Sequence, residues 1–208
     1  YGSTTEAVEE KHRDVKMTGE QWRTALGLAV VAASIVLSNV MITVRIPSVV
    51  EQVGHGTAQT AGIILAAMQF VGILAGLAFS PLTQLFRDRL LLVSGVAYGL
   101  TQLLIGLSAN LWMLAIVTVL AGFAYSVALT TVFNVISDQM PAGVLSQATS
   151  IAILGCSAGS IATTFVLSLL GTVSSTPAFI FGFSGILMIL VSFFGLWIVR
   201  KGGKTSCA

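Results

Sequence analysis

Long apolar runs alternate with short polar segments along almost the whole chain, and this pattern predicts membrane-spanning helices. A run of about 20 apolar residues crosses roughly 30 Å of hydrocarbon as an α-helix. Runs of that length span about residues 24–48, 57–80, 89–108, 111–137, 146–170 and 178–200. They are continuous, whereas a membrane β-barrel needs alternating segments of about 10 residues. We therefore expect an all-α membrane protein with six transmembrane helices.

The composition supports a chain that lies in the lipid bilayer. It is 55% hydrophobic and only 9% charged, and its mean hydropathy is +0.95. About a quarter of the residues of a typical soluble domain are charged. The net charge of +2 reflects where the basic residues lie relative to the membrane, and we expect no nucleic-acid partner.

The basic residues predict the orientation of the chain in the membrane. All Lys and Arg residues except Arg45 lie before the first run, between the second and third, or after the sixth. The positive-inside rule places those three regions in the cytoplasm, so both termini are expected there, in a multi-pass protein of the cell membrane. Residues 1–23 are then a cytoplasmic linker or tail, and 201–208 a cytoplasmic tail. Because the chain begins with Tyr1, both a fragment and a half-size protein stay open.

Arg45 is the one charged residue inside an apolar run. A charge at the centre of a membrane helix costs about 2.5–3.5 kcal/mol on insertion scales, so it marks a pathway, a binding site or a buried partner. Pro47 follows two residues later and removes a backbone amide hydrogen. We expect the first helix to kink or fray there, where protein or a water-filled cavity receives the freed carbonyls.

Polar side chains concentrate on the first and fourth runs, whereas the third and sixth are more uniformly apolar. At 100° per residue, one polar stripe extends from Ser34 to Arg45 and another from Ser126 to Ser137. Ser and Thr can also hydrogen-bond their own helix backbone, which needs no cavity. We nevertheless expect a polar cavity reached by the first and fourth helices. Its candidate residues are Ser38, Asn39, Thr43, Arg45, Gln69, Tyr125, Ser126, Thr130 and Asn134.

Small residues four apart recur on three of the predicted helices. Helices in lipid approach closely where such residues meet. We expect these pairs to pack helices within the chain, with helix dimerisation between chains as the alternative. The pairs are Gly72 with Gly76, Gly95 with Gly99, and Gly155 with Gly159.

Two short motifs resemble catalytic sequences but lack the residues that catalysis needs. Residues 155–159 have the pattern G-x-S-x-G, and residues 182–185 have the G-x-S-G of rhomboid proteases. A serine nucleophile requires a base, and no histidine follows His55. The two histidines and two cysteines show no metal-ligand spacing. We therefore expect no enzyme activity, no metal and no cofactor.

Residues 80–89 align with the signature loop G-x-L-A-D-R-x-G-R-R of the major facilitator superfamily. Leu82 and Arg89 agree with the signature, whereas its glycines and aspartate are replaced. Residues 122–126 resemble the glycine-bearing middle of that family's tenth helix, and 138–141 resemble the cytoplasmic loop after it. The chain thus resembles half of a major facilitator transporter. The residues of the signature-like loop are Ser80, Gln84, Arg87, Asp88 and Arg89.

The resemblance implies two inverted three-helix repeats and secondary active transport of a small solute by alternating access. The degraded signature indicates the C-terminal half, whose partner is the N-terminal half or a second copy. Drug or metabolite efflux follows from the family; uptake of an organic anion, which Arg45 favours, is the alternative, and a six-helix channel or membrane scaffold is the rival. No Asp or Glu lies within the runs. If a coupling ion such as H⁺ is used, its titrating group is expected in the other half.

Overall fold

The computed structural model describes residues 17–54, 56–86, 89–174 and 176–202. The predicted terminal segments 1–23 and 201–208 therefore lie largely outside the described residues. The described part folds into six α-helices joined by short connections. These are α1 (Gly19–Gly54), α2 (Ala58–Phe86), α3 (Leu90–Gly106), α4 (Leu111–Gln139), α5 (Ala142–Val173) and α6 (Pro177–Gly202).

Five of these helices are long and apolar enough to cross a membrane, and α3 is shorter. Its 17 residues extend about 25 Å at 1.5 Å per residue, which is near the lower limit for a membrane span. The chain is thus an all-α integral membrane protein that crosses the bilayer several times.

Both ends of the helical bundle can be named from the connections. Residue Arg89 lies between α2 and α3, and we call that end the Arg89 end. Glu51 lies in the last turn of α1, before the connection to α2, and marks the opposite Glu51 end. The first residues of α1, α3 and α5 lie at the Arg89 end, because successive helices reverse direction.

The first helix does not fray at Pro47. It continues through the proline to Gly54, so that part of the expectation is wrong. A proline cannot donate to the carbonyl one turn before it, and neighbouring hydroxyl groups can satisfy carbonyls near such a position. The Ser48 hydroxyl donates to the Arg45 carbonyl at 2.8 Å.

Helix α2 passes through a proline in the same way. It includes Pro81 and ends at Phe86, and the Thr83 hydroxyl donates to the Phe79 carbonyl at 2.8 Å. Part of the signature-like loop is consequently helical. Ser80 and Gln84 are exposed residues of α2 and do not lie in a loop. Arg89 is exposed and caps α3, whereas Arg87 and Asp88 lie outside the described residues.

The helices associate mainly in three pairs. Helix α1 packs on α5, α2 on α4, and α3 on α6, and further contacts join α1 to α4 and α6, and α3 to α4. Helix α1 is central, since 61% of its most apolar stretch is buried, against 17% for α2 and for α5. The main core lies along α1 and α4 and includes Leu28, Ile35, Ile42, Ala121 and Ala128.

Most of the predicted glycine pairs bring helices together within the chain. Gly155 and Gly159 on α5 lie so close to α1 that a methyl group on either would overlap a backbone carbonyl. Gly95 and Gly99 lie equally close to α6, where a methyl group would overlap the Ser192 side chain and the Gly185 carbonyl respectively. Those two pairs confirm the packing prediction. For Gly76 the prediction is wrong, because a methyl group there would meet no atom within 4 Å.

Candidate functional site

The polar stripe of α1 is packed inside the domain over part of its length. Ser38 is fully buried, and the Ser184 hydroxyl of α6 donates to the Ser38 hydroxyl at 3.0 Å. Met41, one turn further, is buried against Leu170 of α5 and Ile180 of α6. This section of the stripe therefore joins α1 to α5 and α6.

Arg45 lies one turn beyond Met41, towards the Glu51 end, and is half-buried. Its backbone carbonyl accepts the Ser48 hydroxyl. Among the residues that the structure describes, none forms a hydrogen bond or an ion pair with its guanidinium group. Within the described part of the chain, its positive charge thus lies partly inside an apolar bundle without a counter-charge.

Three other candidates are accessible from outside the domain. Thr43 on α1, Gln69 on α2 and Thr130 on α4 are exposed. The Thr43 hydroxyl also donates to the Asn39 carbonyl at 3.0 Å, as a helical threonine commonly does. These three side chains can contact water or another molecule without a change in the fold.

Asn39 and Tyr125 lie deeper in the domain. Asn39 is buried, and its side-chain oxygen has no hydrogen-bond partner in the described structure. Tyr125 is half-buried, and its ring centroid lies 6.0 Å from that of Tyr98 on α3, with the planes tilted by 52°. This arrangement is within the usual range for aromatic pairs.

The two polar stripes face different neighbours within the domain. Ser126 of α4 packs against Gly72 of α2, its hydroxyl 2.7 Å from where a β-carbon on Gly72 would lie. Ser38 of α1 instead contacts α6. The described structure therefore does not gather all nine candidates around one internal cavity.

A cavity of about 600 Å³ opens at the Arg89 end between α2, α3, α4 and α6. One candidate cavity residue, Asn134, lines it, and its amide donates to an Asp138 carboxylate oxygen at 3.2 Å. The Gln139 amide donates to the Val199 carbonyl at 3.3 Å and connects α4 to α6. The lining residues are Thr83, Gln84, Leu90, Leu91, Thr131, Asn134, Val135, Asp138, Gln139 and Val199.

Sequence reasoning missed three fully buried polar residues. Tyr98 and Gln102 lie on α3 and Thr118 lies on α4, each 0% exposed. The expectation that the third helix is uniformly apolar is thus incomplete. An amide within an apolar run was visible at Gln102, and this signal could have identified the position.

Both catalytic-looking motifs lie inside helices. Residues 155–159 lie within α5, so they do not form the sharp turn between strand and helix that a nucleophile elbow requires. Residues 182–185 lie within α6, where the buried Ser184 hydroxyl donates to the Ser38 hydroxyl. In the described ranges, no group of three or more His, Cys, Asp and Glu residues could hold a metal ion.

The family model described as Major Facilitator Superfamily matches residues 26–206, which include most of α1 and all of α2 to α6. The search of curated proteins found no match.

Proposed function

Because the chain belongs to the Major Facilitator Superfamily and is therefore in general terms a transmembrane transporter, we propose that it forms one six-helix half of a secondary active transporter. A small solute moves by alternating access as two halves rock about a site near the middle of the membrane. The other half is the N-terminal domain of the same protein or a second copy. The degraded signature in residues 80–89 favours the C-terminal half.

The helix contacts support an arrangement in two inverted repeats, α1–α3 and α4–α6. Such a repeat exchanges α1 with α4, α2 with α5, and α3 with α6. The exchange converts the α1–α5 pair into the α4–α2 pair, and the α1–α6 pair into the α4–α3 pair. It leaves the α3–α6 and α1–α4 pairs unchanged. All of these pairs are present among the helix contacts, as the proposed repeat requires.

The observation that carries the proposal is the position of Arg45. A half-buried guanidinium without a counter-charge in the described domain can be stabilised by an anionic solute or by a carboxylate of the other half. Thr43, Gln69 and Thr130 add exposed hydrogen-bonding groups on three helices. Together these residues form the proposed solute-facing set, and the positive charge of Arg45 favours organic anion uptake over drug or metabolite efflux.

The proposed orientation in the cell membrane places the Arg89 end in the cytoplasm. Arg89 and Arg200 lie at that end, whereas no Lys or Arg lies in the connections at the Glu51 end. The positive-inside rule then gives cytoplasmic termini. The apolar runs contain no Asp or Glu, so proton coupling, if it occurs, uses a group of the other half.

The test is solute uptake by the transporter that contains this chain, reconstituted in proteoliposomes. The probes are radiolabelled organic anions, with neutral and cationic solutes of similar size for comparison. We expect Arg45→Ala to lower anion uptake at least tenfold and Arg45→Lys to keep part of it. The exposed Arg23 provides a matched control, since Arg23→Ala also removes one positive charge but should transport normally. Full uptake by Arg45→Ala would contradict the role given to this residue.

A further inference from the structure

Helix α3 contains an amide buried among apolar side chains. Gln102 is 0% exposed, and neither its side-chain nitrogen nor its side-chain oxygen has a hydrogen-bond partner in the described structure. Tyr98, one helical turn earlier, is also fully buried and its hydroxyl likewise lacks a partner. Three buried polar atoms, on two side chains one helical turn apart, thus lack hydrogen-bond partners.

Tyr98 and Gln102 lie one turn apart on one face of α3, and no hydrogen bond of regular geometry joins their side chains. A polar pair that is close but not directly bonded is one that a water molecule can bridge. Without such a partner each buried group carries a desolvation penalty. Bulk water does not reach side chains inside a membrane domain, so it cannot remove this desolvation penalty.

Helix α4 contributes a third unsatisfied side chain. Thr118 is 0% exposed, and its hydroxyl has no partner. The buried Thr131 of the same helix instead donates to the Val127 carbonyl at 2.7 Å, which is the usual arrangement for a helical threonine. Thr118 therefore departs from the usual behaviour and requires a different partner.

The contact between α3 and α4 places Gln102 and Thr118 on the same side of one aromatic pair. The Tyr98 and Tyr125 rings lie 6.0 Å apart, and the two helices run in opposite directions from the connection at residues 107–110. Gln102 is one turn from this ring pair towards the connection, and Thr118 is about two turns from it in the same direction. Both residues consequently lie between the ring pair and the Glu51 end.

We propose that one or two water molecules bind inside the domain between α3 and α4, at Tyr98, Gln102 and Thr118. An amide donates and accepts, and a hydroxyl does both, so this set matches the roughly three hydrogen bonds that a buried water makes. An ion does not fit, because neither α3 nor α4 carries a charged residue before Asp138. The site extends from the Tyr98–Tyr125 pair towards the Glu51 end, and the water holds α3 against α4 independently of solute.

Thermal unfolding of the purified transporter in detergent tests the proposal. The decisive result is whether a variant has a lower or a higher melting temperature than the wild type. Gln102→Leu and Tyr98→Phe should each lower the melting temperature by about 2–4 °C, the shift that 1 kcal/mol produces in a chain of this size. The double variant should lose less than the sum, because neither polar group is then left without its water. Gln52→Leu, at an exposed position of α1, should leave the melting temperature unchanged. A higher melting temperature for Gln102→Leu would overturn the proposal, since it would mean that the site is dry.

A high-resolution structure of the wild-type transporter gives the direct readout, and it decides even if a variant fails to fold. We expect density for solvent within hydrogen-bonding distance of the Gln102 amide. A direct Tyr98–Gln102 hydrogen bond with no solvent density would overturn the proposal.

Discussion

The most apolar stretches of helices α1 and α2 have nearly equal mean hydropathy but very different surroundings. Most of this stretch of α1 is buried inside the domain, whereas only 17% of that of α2 is buried. Hydropathy thus accounts for the insertion of both helices into lipid, but it does not decide which helix becomes the centre of the bundle.

The difference arises from close packing and polar contacts. Lipid tails are as apolar as leucine, so helix association in a membrane depends on packing and interhelical hydrogen bonds. Gly155 and Gly159 let α5 lie directly on α1, and Ser184 bonds to Ser38 from α6. On α2, by contrast, Gly76 meets no neighbouring atom. The exposed face of α2 is therefore available to lipid or to the other half.

The largest expected difference between the two helices comes from truncating one leucine on each. Leu28 of α1 is 0% exposed and Leu77 of α2 is 79% exposed. Leu28→Ala leaves a cavity and should lower the free energy of unfolding by about 2–5 kcal/mol. Leu77→Ala should change it by less than about 0.5 kcal/mol. Both are measured by unfolding of the transporter in detergent. Equal losses would show that another chain covers α2.

A methyl group added to a glycine should have the next largest effect. Gly159→Ala forces the methyl group into the Ala33 carbonyl, and such overpacking costs about 1–3 kcal/mol. Gly76→Ala encounters open space and should gain about 0.5–1 kcal/mol from the better helix former. The same unfolding measurement distinguishes the two. If both variants were equally stable, α1 and α5 would not be in close contact.

The smallest expected effect concerns the hydrogen bond between α1 and α6. Ser184→Ala removes this bond and should lower the free energy of unfolding by about 0.6 kcal/mol, the average for interhelical bonds in membranes, and by no more than about 1.7 kcal/mol. Ser157→Ala is the control, because the exposed Ser157 hydroxyl donates only to the carbonyl of Ile153 on its own helix. If Ser157→Ala lowered the free energy of unfolding as much as Ser184→Ala, the α1–α6 bond would have no special role.

The sequence was sufficient to predict the helices and two of the glycine contacts. Apolar runs of membrane length appear as helices, and the pairs Gly95–Gly99 and Gly155–Gly159 pack as expected. Helix formation and close glycine contacts both depend on the local sequence, which can be read without knowing which helices lie next to each other. The continuation of α2 through Pro81 was not anticipated, because the predicted run ends at residue 80 and a proline usually ends or kinks a helix.

The orientation of the polar stripes could not be predicted from helical periodicity. Periodicity places Ser38 and Arg45 on one face, but it does not reveal that α6 covers Ser38 while Arg45 stays half-exposed. Which helix covers a face depends on contacts between distant parts of the chain. The same reason explains why Gln102 was missed as a buried residue, although its amide was evident in the sequence.

The most direct test of transport by alternating access is a counterflow measurement in proteoliposomes that contain the complete transporter. Liposomes are preloaded with an unlabelled organic anion, and a trace of the same anion, radiolabelled, is added outside. We expect the label to accumulate transiently above its equilibrium level, because the carrier returns with label after each outward step. Arg45→Ala should abolish this overshoot, whereas Arg23→Ala should retain it. Entry of the label to equilibrium without an overshoot, together with an ionic conductance, would contradict the account and indicate a channel.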